Sequence, residues 1–291
     1  MITLFLMSKK GLTVLEEIII NGLSSSIEQV IASKDLSISN DYYNEMKELC
    51  KKHKIHFYDK KEKYKINSNF AIAVSWRWII SLNKTKLIVL HDSLLPKYRG
   101  FNPLASCLLN QEKEIGVTAL YATKNFDAGP IIDQSSTLID YPIKLKDAID
   151  IICKNYAEVC LKIVKKIKNE KEILSVPQDE TRATYSVWRD EQDYRIDWKK
   201  SSNEILLKIN TLGEPYLGAS AFINNKKIRI LEAEVYNDLK VENRHVGKVL
   251  LKEDEFPVII CGKGLIKIKS AICDKSKKSI LPMKKFRVRF T

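Results

Sequence analysis

The chain has 291 residues, 45% of them hydrophobic and 29% charged, with a formal net charge of +13. This is ordinary soluble usage, with apolar material for one large or two medium packed domains, and it excludes disordered and collagen-like chains. A basic chain attracts phosphates, whether on nucleic acid, a sugar nucleotide or a membrane surface. Here the lysine excess is diffuse and reads as solvated surface, except at 275–289, where seven basic residues follow Asp274.

The opening MITLFLM has no basic segment before it and no small-residue cleavage site after it. It reads as a buried first strand, not a signal peptide. Gly11 leads into a helical stretch with Leu15, Ile18 and Ile19, and SIEQVIAS is a second strand. Asp41 and Tyr42 open an amphipathic helix through Cys50, followed by the short strand HFY at 56–58. FAIAVSW and KLIVLH are apolar runs between polar turns, the pattern of buried parallel strands. GVTALYAT and PIIDQSSTLI are two more strands around the turn at 127–129, and Ile149, Ile152, Ala157, Leu161 and Val164 spell one helix over 144–168. The expected architecture is an α/β, Rossmann-like, parallel-rich open sheet with helices on both faces.

From 169 to 184 the chain is polar, contains Pro177 and shows no period, which marks a linker. Ser201 is placed to N-cap a helix reaching 212. The runs ASAFI, KKIRILEAEV, VGKVLL, FPVIIC and LIKIKSA then read as the short strands of a small β-barrel. The expected division is 1–170, a junction at 171–200, and a β domain at 201–291. No apolar run approaches the roughly 18 residues needed to cross a bilayer, so no membrane partner is expected.

Cys50, Cys107, Cys153, Cys160, Cys261 and Cys273 are scattered, form no CxxC and sit mostly in apolar patterns. Without an export signal they read as free thiols in a reducing cytoplasm. Cys50, His53 and His56 have ligand-like spacing, but no second Cys/His pair completes four ligands, so no metal is expected. No GxGxxG follows the first strand, and Gly262-Lys263-Gly264 lies late, as a hairpin turn would. That argues against a dehydrogenase.

The chemistry concentrates in LHDSLLPKYRG at 90–100 and GVTALYATKNFDAGPI at 116–131. His91 closes the strand KLIVLH, at the carboxyl end where open α/β sheets place ligands. Asp127 lies on a second turn, which Gly129 frees for close backbone approach. A carboxylate beside an imidazole orients the ring and favours its charged form, so the two side chains can share a proton-transfer task. Read singly, His91 caps a strand and Asp127 closes a turn.

The string His-x-Ser-Leu-Leu-Pro-x-x-Arg-Gly, followed by Gly-Val-Thr and Asp-x-Gly, resembles the folate-dependent formyltransferases, which include methionyl-tRNA, glycinamide ribonucleotide and sugar N-formyltransferases. The stretch YRIDWKKSSNEILLKINTLGEPYLGASAF resembles the segment that in the methionyl-tRNA and sugar enzymes leads into an OB-like barrel. The resemblance implies formyl transfer from 10-formyltetrahydrofolate, as co-substrate, to a primary amine, with His91 and Asp127 carrying the chemistry. In the family an Asn two residues before the His helps hold the oxyanion. Here that position is Val89, which has no donor, and losing one such donor costs about 100-fold or more in rate. Asn102 is the suggested substitute and Ser93 a weaker one, Ser93 being also a candidate contact to the acceptor substrate; the plain reading of Asn102 is turn-making. The resemblance also implies a folate site between Trp76, Arg77, Trp78, Ile79 and Ile80 on one side and Thr123, Lys124 and Asn125 on the other. Trp76 and Trp78 also read as core. Lys97 and Arg99 are candidates for acceptor phosphates or the folate glutamate tail, and equally for surface charge.

For the acceptor, methionyl-tRNA formyltransferases carry a long basic insertion after the second strand, and ASKDLSISNDYYNEMKELC has neither glycine nor proline and little charge. The glycine that the family places directly after the first strand is also displaced, with MSKK preceding Gly11. The expectation is therefore a nucleotide-linked amino deoxysugar of surface-glycan biosynthesis, with Tyr185, Trp188, Arg189, Tyr194 and Arg195 meeting base and pyrophosphate or else pinning the linker. The basic tail and barrel keep methionyl-tRNA as the alternative, and Val89 keeps an inactive folate- or sugar-nucleotide-binding protein. A homodimer is open.

Overall fold

A computed structural model describes residues 1–82 and 84–291. The chain parts into two compact units, Met1–Ile139 with Asp147–Trp188, and Asp140–Lys146 with Arg189–Thr291.

Near-continuous apolar runs become the middle of the first unit's sheet. Strands β1 (Ile2–Leu6), β2 (Ile27–Ala32), β4 (Phe70–Val74) and β5 (Lys86–His91) run parallel, with β3 (His56–Asp59) at one edge. After a two-residue β6 (Arg99–Gly100), β7 (Glu114–Tyr121) pairs antiparallel with β5, and β8 (Ile131–Leu138) antiparallel with β7. Among the described residues the order is β3-β2-β1-β4-β5-β7-β8. Strand β1 pairs parallel with both β2 and β4, so the order reverses there, and it is outside the carboxyl ends at such a switch point that open α/β sheets bind ligands.

Helix α1 (Ser8–Ile20) buries Gly11, Val14, Leu15 and Ile18, an i, i+3, i+4, i+7 stripe. It starts three residues before Gly11, because MSKK forms its first turn, where Lys9 pairs with Asp150 and Lys10 with Asp92. Helices α2 (Tyr43–Lys52) and α4 (Leu145–Lys168) lie where the pattern places them. Helix α3 (Pro103–Leu109) was not legible: at seven residues it is too short to show a period, although Pro103 suits a first turn. On one sheet face Phe5, Ile31, Ala71 and Ala73 pack against Tyr64 and Ile66, from the irregular stretch 60–69, and Trp76, Ile80 and Leu82, from 75–82. Leu87 and Val89 of β5 belong to this cluster.

Residues 171–188 correct the linker expectation, for they belong to the first unit. Val176 exchanges both backbone hydrogen bonds with Ile131, and β9 (Tyr185–Ser186) pairs with β6. Backbone pairing needs no side-chain period, so the stretch looks unstructured in sequence.

In the second unit, α5 (Glu191–Tyr194) precedes α6 (Ser202–Thr211), where Ser201 and Glu204 form a reciprocal capping box. Strands β10 (Ala219–Ile223), β11 (Lys226–Tyr236), β12 (Val249–Glu253), β13 (Phe256–Ile260) and β14 (Leu265–Cys273) form an antiparallel sheet ordered β10-β11-β14-β13-β12. Gly262-Lys263-Gly264 joins β13 to its antiparallel neighbour β14. The last four residues close the sheet. Thr291 exchanges both backbone bonds with Phe222 of β10, while Val288 accepts from Val249 of β12 and Phe290 donates to Gly247. The end of the basic tail is thus part of the barrel wall.

Candidate active site at the carboxyl end of β5

His91 is the last residue of β5 and is buried, at 7% exposure. Its Nε2 lies 2.8 Å from the Tyr98 carbonyl oxygen. A carbonyl can only accept, so Nε2 carries a proton. Nδ1 then faces Asp127 Oδ1 at 3.5 Å. A carboxylate in that position orients the ring and can share a proton with it. Asp127 Oδ2 accepts the Gly100 N–H at 2.9 Å, which fixes the carboxylate's other edge.

Two glycines allow this approach. A Cβ on Gly129 would lie 1.7 Å from the Tyr121 carbonyl oxygen, and one on Gly100 2.6 Å from that of Ser186, where φ is also +98°. Non-glycine residues with left-handed backbones cluster around the same turns: Ser75 (φ 53), Tyr98 (φ 61), Asn102 (φ 49) and Asp127 (φ 52). Such conformations cost free energy and persist only where surrounding contacts enforce them.

Much of the sequence motif proves to be scaffold. The Thr118 hydroxyl donates to Ser93 O at 2.6 Å and accepts from Leu95 N–H at 3.0 Å, and Gln134 Nε2 donates to Leu95 O. Ser93 is buried and donates to Lys97 O at 2.7 Å, which corrects its candidacy as an acceptor or oxyanion contact: its hydroxyl hydrogen is used to close the loop. Arg99 requires a larger correction. It is 1% exposed and holds Gln178 through Nε and Nη2 and Glu180 through Nη1 and Nη2. These charge-assisted bonds raise its pKa and lower that of Glu180. The guanidinium anchors 178–180 and does not meet a phosphate. Gln178, which no pattern marked, also donates to Asp127 O and Gly129 O, each at 2.7 Å, and so clamps the turn that carries the carboxylate. Lys97 is half exposed and pairs with Glu112 at 3.3 Å.

The two expected folate-binding stretches flank one face of β5. Ala122 N–H donates to Leu87 O, near the start of β5, while Asp127 meets His91 at its end. Residues 122–127 therefore run back along the strand. Thr123, Lys124 and Asn125 are exposed there, with the Thr123 hydroxyl donating to Asn125 O. Trp76 and Ile80 pack in the cluster that holds Leu87 and Val89. Trp76 makes edge contacts with Phe5 and Trp78, at 5.1 and 5.2 Å, and Lys60 Nζ sits 3.3 Å over the Trp78 ring. Arg77 pairs with Asp35, and Ile79 is 86% exposed. Val89 lies two residues before His91 on the same face. Asn102 is the N-cap residue of α3, and its side chain makes no cap bond.

Of the aromatic and basic residues near the junction, Tyr185 and Trp188 are exposed in the first unit, while Arg189, Tyr194 and Arg195 belong to the second. There Arg195 stacks on Phe222, and Tyr194 lies beneath Arg229. Cys50 is fully buried and burial pushes its thiol to about 12, so it suits packing rather than metal ligation. No helix among the described residues is long and apolar enough to cross a membrane.

Two family models match the chain, that of the formyl transferases over residues 20–152 and that of the formyl transferase C-terminal domain over 189–287. The chain belongs to the formyl transferase family, and both of its domains are present. It is 33% identical over 192 residues to a methionyl-tRNA formyltransferase of Thermotoga neapolitana, covering 66% of this chain and 59% of that protein. A counterpart from Staphylococcus aureus strain MW2 is 31% identical over 166 residues, 56% of this chain and 52% of the relative. The matched region thus spans little more than half the length of these relatives. Among solved structures, WlaRD, a sugar 3N-formyl transferase solved with dTDP and 5-N-formyl-THF, superimposes with a TM-score of 0.67 at 23% identity, covering 92% of this chain and 96% of that one. The N-formyltransferase of Helicobacter canadensis, solved with folinic acid and dTDP-3-aminofucose, gives 0.67 at 20% identity, covering 92% and 98%. At these identities the likeness is one of fold.

Proposed function

We propose that the chain transfers a formyl group from 10-formyltetrahydrofolate to a primary amine. The observation that carries this is the pair of buried His91 and partly buried Asp127, held between the Tyr98 carbonyl and the Gly100 N–H at the carboxyl end of β5. An amine that attacks a formyl carbon must lose a proton, and the formyl oxygen gains negative charge. The His91–Asp127 pair accepts that proton, directly or through an intervening water, and returning it to the folate nitrogen would balance the breaking of that nitrogen's bond to the formyl carbon as the new amide forms. While it holds that proton, the imidazole places a positive charge beside the developing oxyanion. The face of β5 between 76–80 and 123–125 suits a flat pteridine, because half-buried Trp76 and exposed Trp78 border one side and the exposed residues 123–125 the other. The folate, when bound there, supplies the activated formyl group.

The relatives favour methionyl-tRNA as acceptor over the amino sugar that the sequence alone suggested. The sugar reading is kept on a specific observation. The stretch between β2 and α2 is a short connection pinned on itself, with Asp35 accepting from Ser37 and Arg77 and its own N–H bonded to Asp41. The test is to incubate the purified chain with 10-formyltetrahydrofolate and either methionyl-tRNA or a panel of nucleotide-linked amino sugars, following deformylated folate. Release with tRNA supports the first acceptor and release with a sugar the second. H91Q and D127N should each reduce turnover about 100-fold or more. Folate binding without transfer to any amine would replace the enzyme by a binding protein.

A further inference from the structure

We propose that Lys10 and Tyr156 are positioning residues that act on His91 through Asp92, the Lys10 ammonium cancelling the carboxylate behind the imidazole so that Asp127 alone biases its proton. This rests on the reading of His91 as the proton-transfer group. Asp92 directly follows His91 at the end of β5. Its carboxylate accepts from Lys10 Nζ, in the first turn of α1, and from the Tyr156 hydroxyl of α4. The same hydroxyl lies 3.2 Å from Leu90 O. Lys10 and Asp92 expose only 12% and 18% of their side chains, and Tyr156 is 1% exposed, so water competes little for these contacts. Met7 N–H donates to Val74 O, so the pair ties the end of β1, beside β4, to the residue after the imidazole.

Burial alone pushes the Asp92 carboxyl up, but Lys10 and Tyr156 outweigh it and hold the group below the usual range. Burial, then the Asp92 charge, pushes the Tyr156 hydroxyl well above its ordinary value, which keeps it a donor. The other ionisable groups facing this cluster are compensated or neutral. Lys9 of α1 pairs with Asp150 of α4 at 2.5 Å. Burial pushes up the thiols of Cys153 on α4 and Cys107 on α3, the latter to about 12. Among the described residues, that leaves Asp127 as the charge facing the ring. The arrangement combines two local features of the sequence, the MSKK turn after the first strand and the Asp that follows the motif histidine.

The test is an imidazole NMR titration of the full chain without substrates. His91 is assigned by its loss in H91Q, and the remaining histidines, 53, 56 and 245, serve as controls. K10M leaves Asp92 uncompensated and should raise the His91 midpoint by about one pH unit, a tenfold gain in proton affinity. D92N removes the carboxylate's charge and keeps the Lys10 ammonium, so it should lower the midpoint by a similar amount, and the double variant K10M/D92N should return it to the wild-type value. D92N keeps the shape of the side chain and an acceptor for Tyr156, so it carries the test alone if K10M fails to fold. Single variants whose midpoints stay put, or move the same way, overturn the proposal. Wild-type protein that transfers no formyl group would remove the catalytic role of His91 and leave the titration result standing.

Discussion

At the scale of single residues, Val89 separates this chain most sharply from the pattern it otherwise follows. Its side chain lies on the face of β5 that carries His91, two positions on, and it packs in the half-buried cluster with Leu87 and Trp76. The neighbouring imidazole holds the Tyr98 carbonyl with one nitrogen and faces Asp127 with the other. A donor at position 89 would therefore meet the formyl oxygen from a side that no described hydrogen bond of His91 covers. V89N should raise kcat, by as much as about 100-fold if no other group replaces the missing donor, at a stability cost of about 1–3 kcal/mol for an amide among apolar neighbours. Turnover and thermal unfolding of the same variant measure both effects. An unchanged kcat together with a loss in N102A would assign the donor to Asn102. These residues were legible because the motif is a contiguous string. Gln178 and the Lys10–Asp92 pair were not, because their partners lie 79 and 82 residues apart in sequence.

At the scale of elements, the periodic segments could be read and the aperiodic ones could not. Helices α1, α2, α4 and α6 and the strands of both units carry patterns at 3.6 or 2 residues, or runs of apolar residues. Helix α3 is too brief for a period, and 171–188 is held by backbone pairing and by polar side chains, above all the Arg99 clamp. The start of α6 was foreseen from Ser201, and its cap makes a pH prediction. Glu204 donates no proton; it accepts from the Ser201 N–H and hydroxyl and pairs with Lys200, which hold its carboxyl at about 2. Because the folded value lies below the unfolded one, near 4.5, the stabilisation is present above about pH 4.5. It is lost as the pH falls from there towards 2. E204Q keeps the capping geometry and removes the charge, so its melting curve should lie below the parent's at pH 7 and converge with it under acid. S201A should cost about 1 kcal/mol at pH 7, and less under acid, where the hydroxyl's bond to the carboxylate no longer counts. Thermal melts followed between pH 2 and 7 check both, and a constant gap between E204Q and the parent would deny the carboxylate its role.

At the scale of the whole molecule, the barrel's closure and the chain's charge meet in the last residues. Phe290 is 1% exposed and contacts Trp198 edge-on at 5.7 Å, between backbone bonds that join the closing segment to β10 and β12. F290A should destabilise the second unit by about 3–5 kcal/mol, seen as faster amide exchange in β10 and β12. Immediately before this buried wall, Lys284, Lys285 and Arg287 are exposed, within a chain of net charge +13. The acceptor decides what that charge does. A nucleotide-linked sugar brings about two phosphate charges, and its KM should rise no more than about tenfold between 50 and 200 mM salt. A tRNA acceptor stem engaged at about six phosphates releases that many counterions, and its KM should rise on the order of 1000-fold over the same interval. With the relatives favouring tRNA, the steep dependence is expected, and K284Q/K285Q should flatten it by about two charges while leaving kcat at saturating acceptor unchanged. A shallow slope with an active sugar nucleotide would instead make the basic surface a matter of solubility, and the small acceptor the true one.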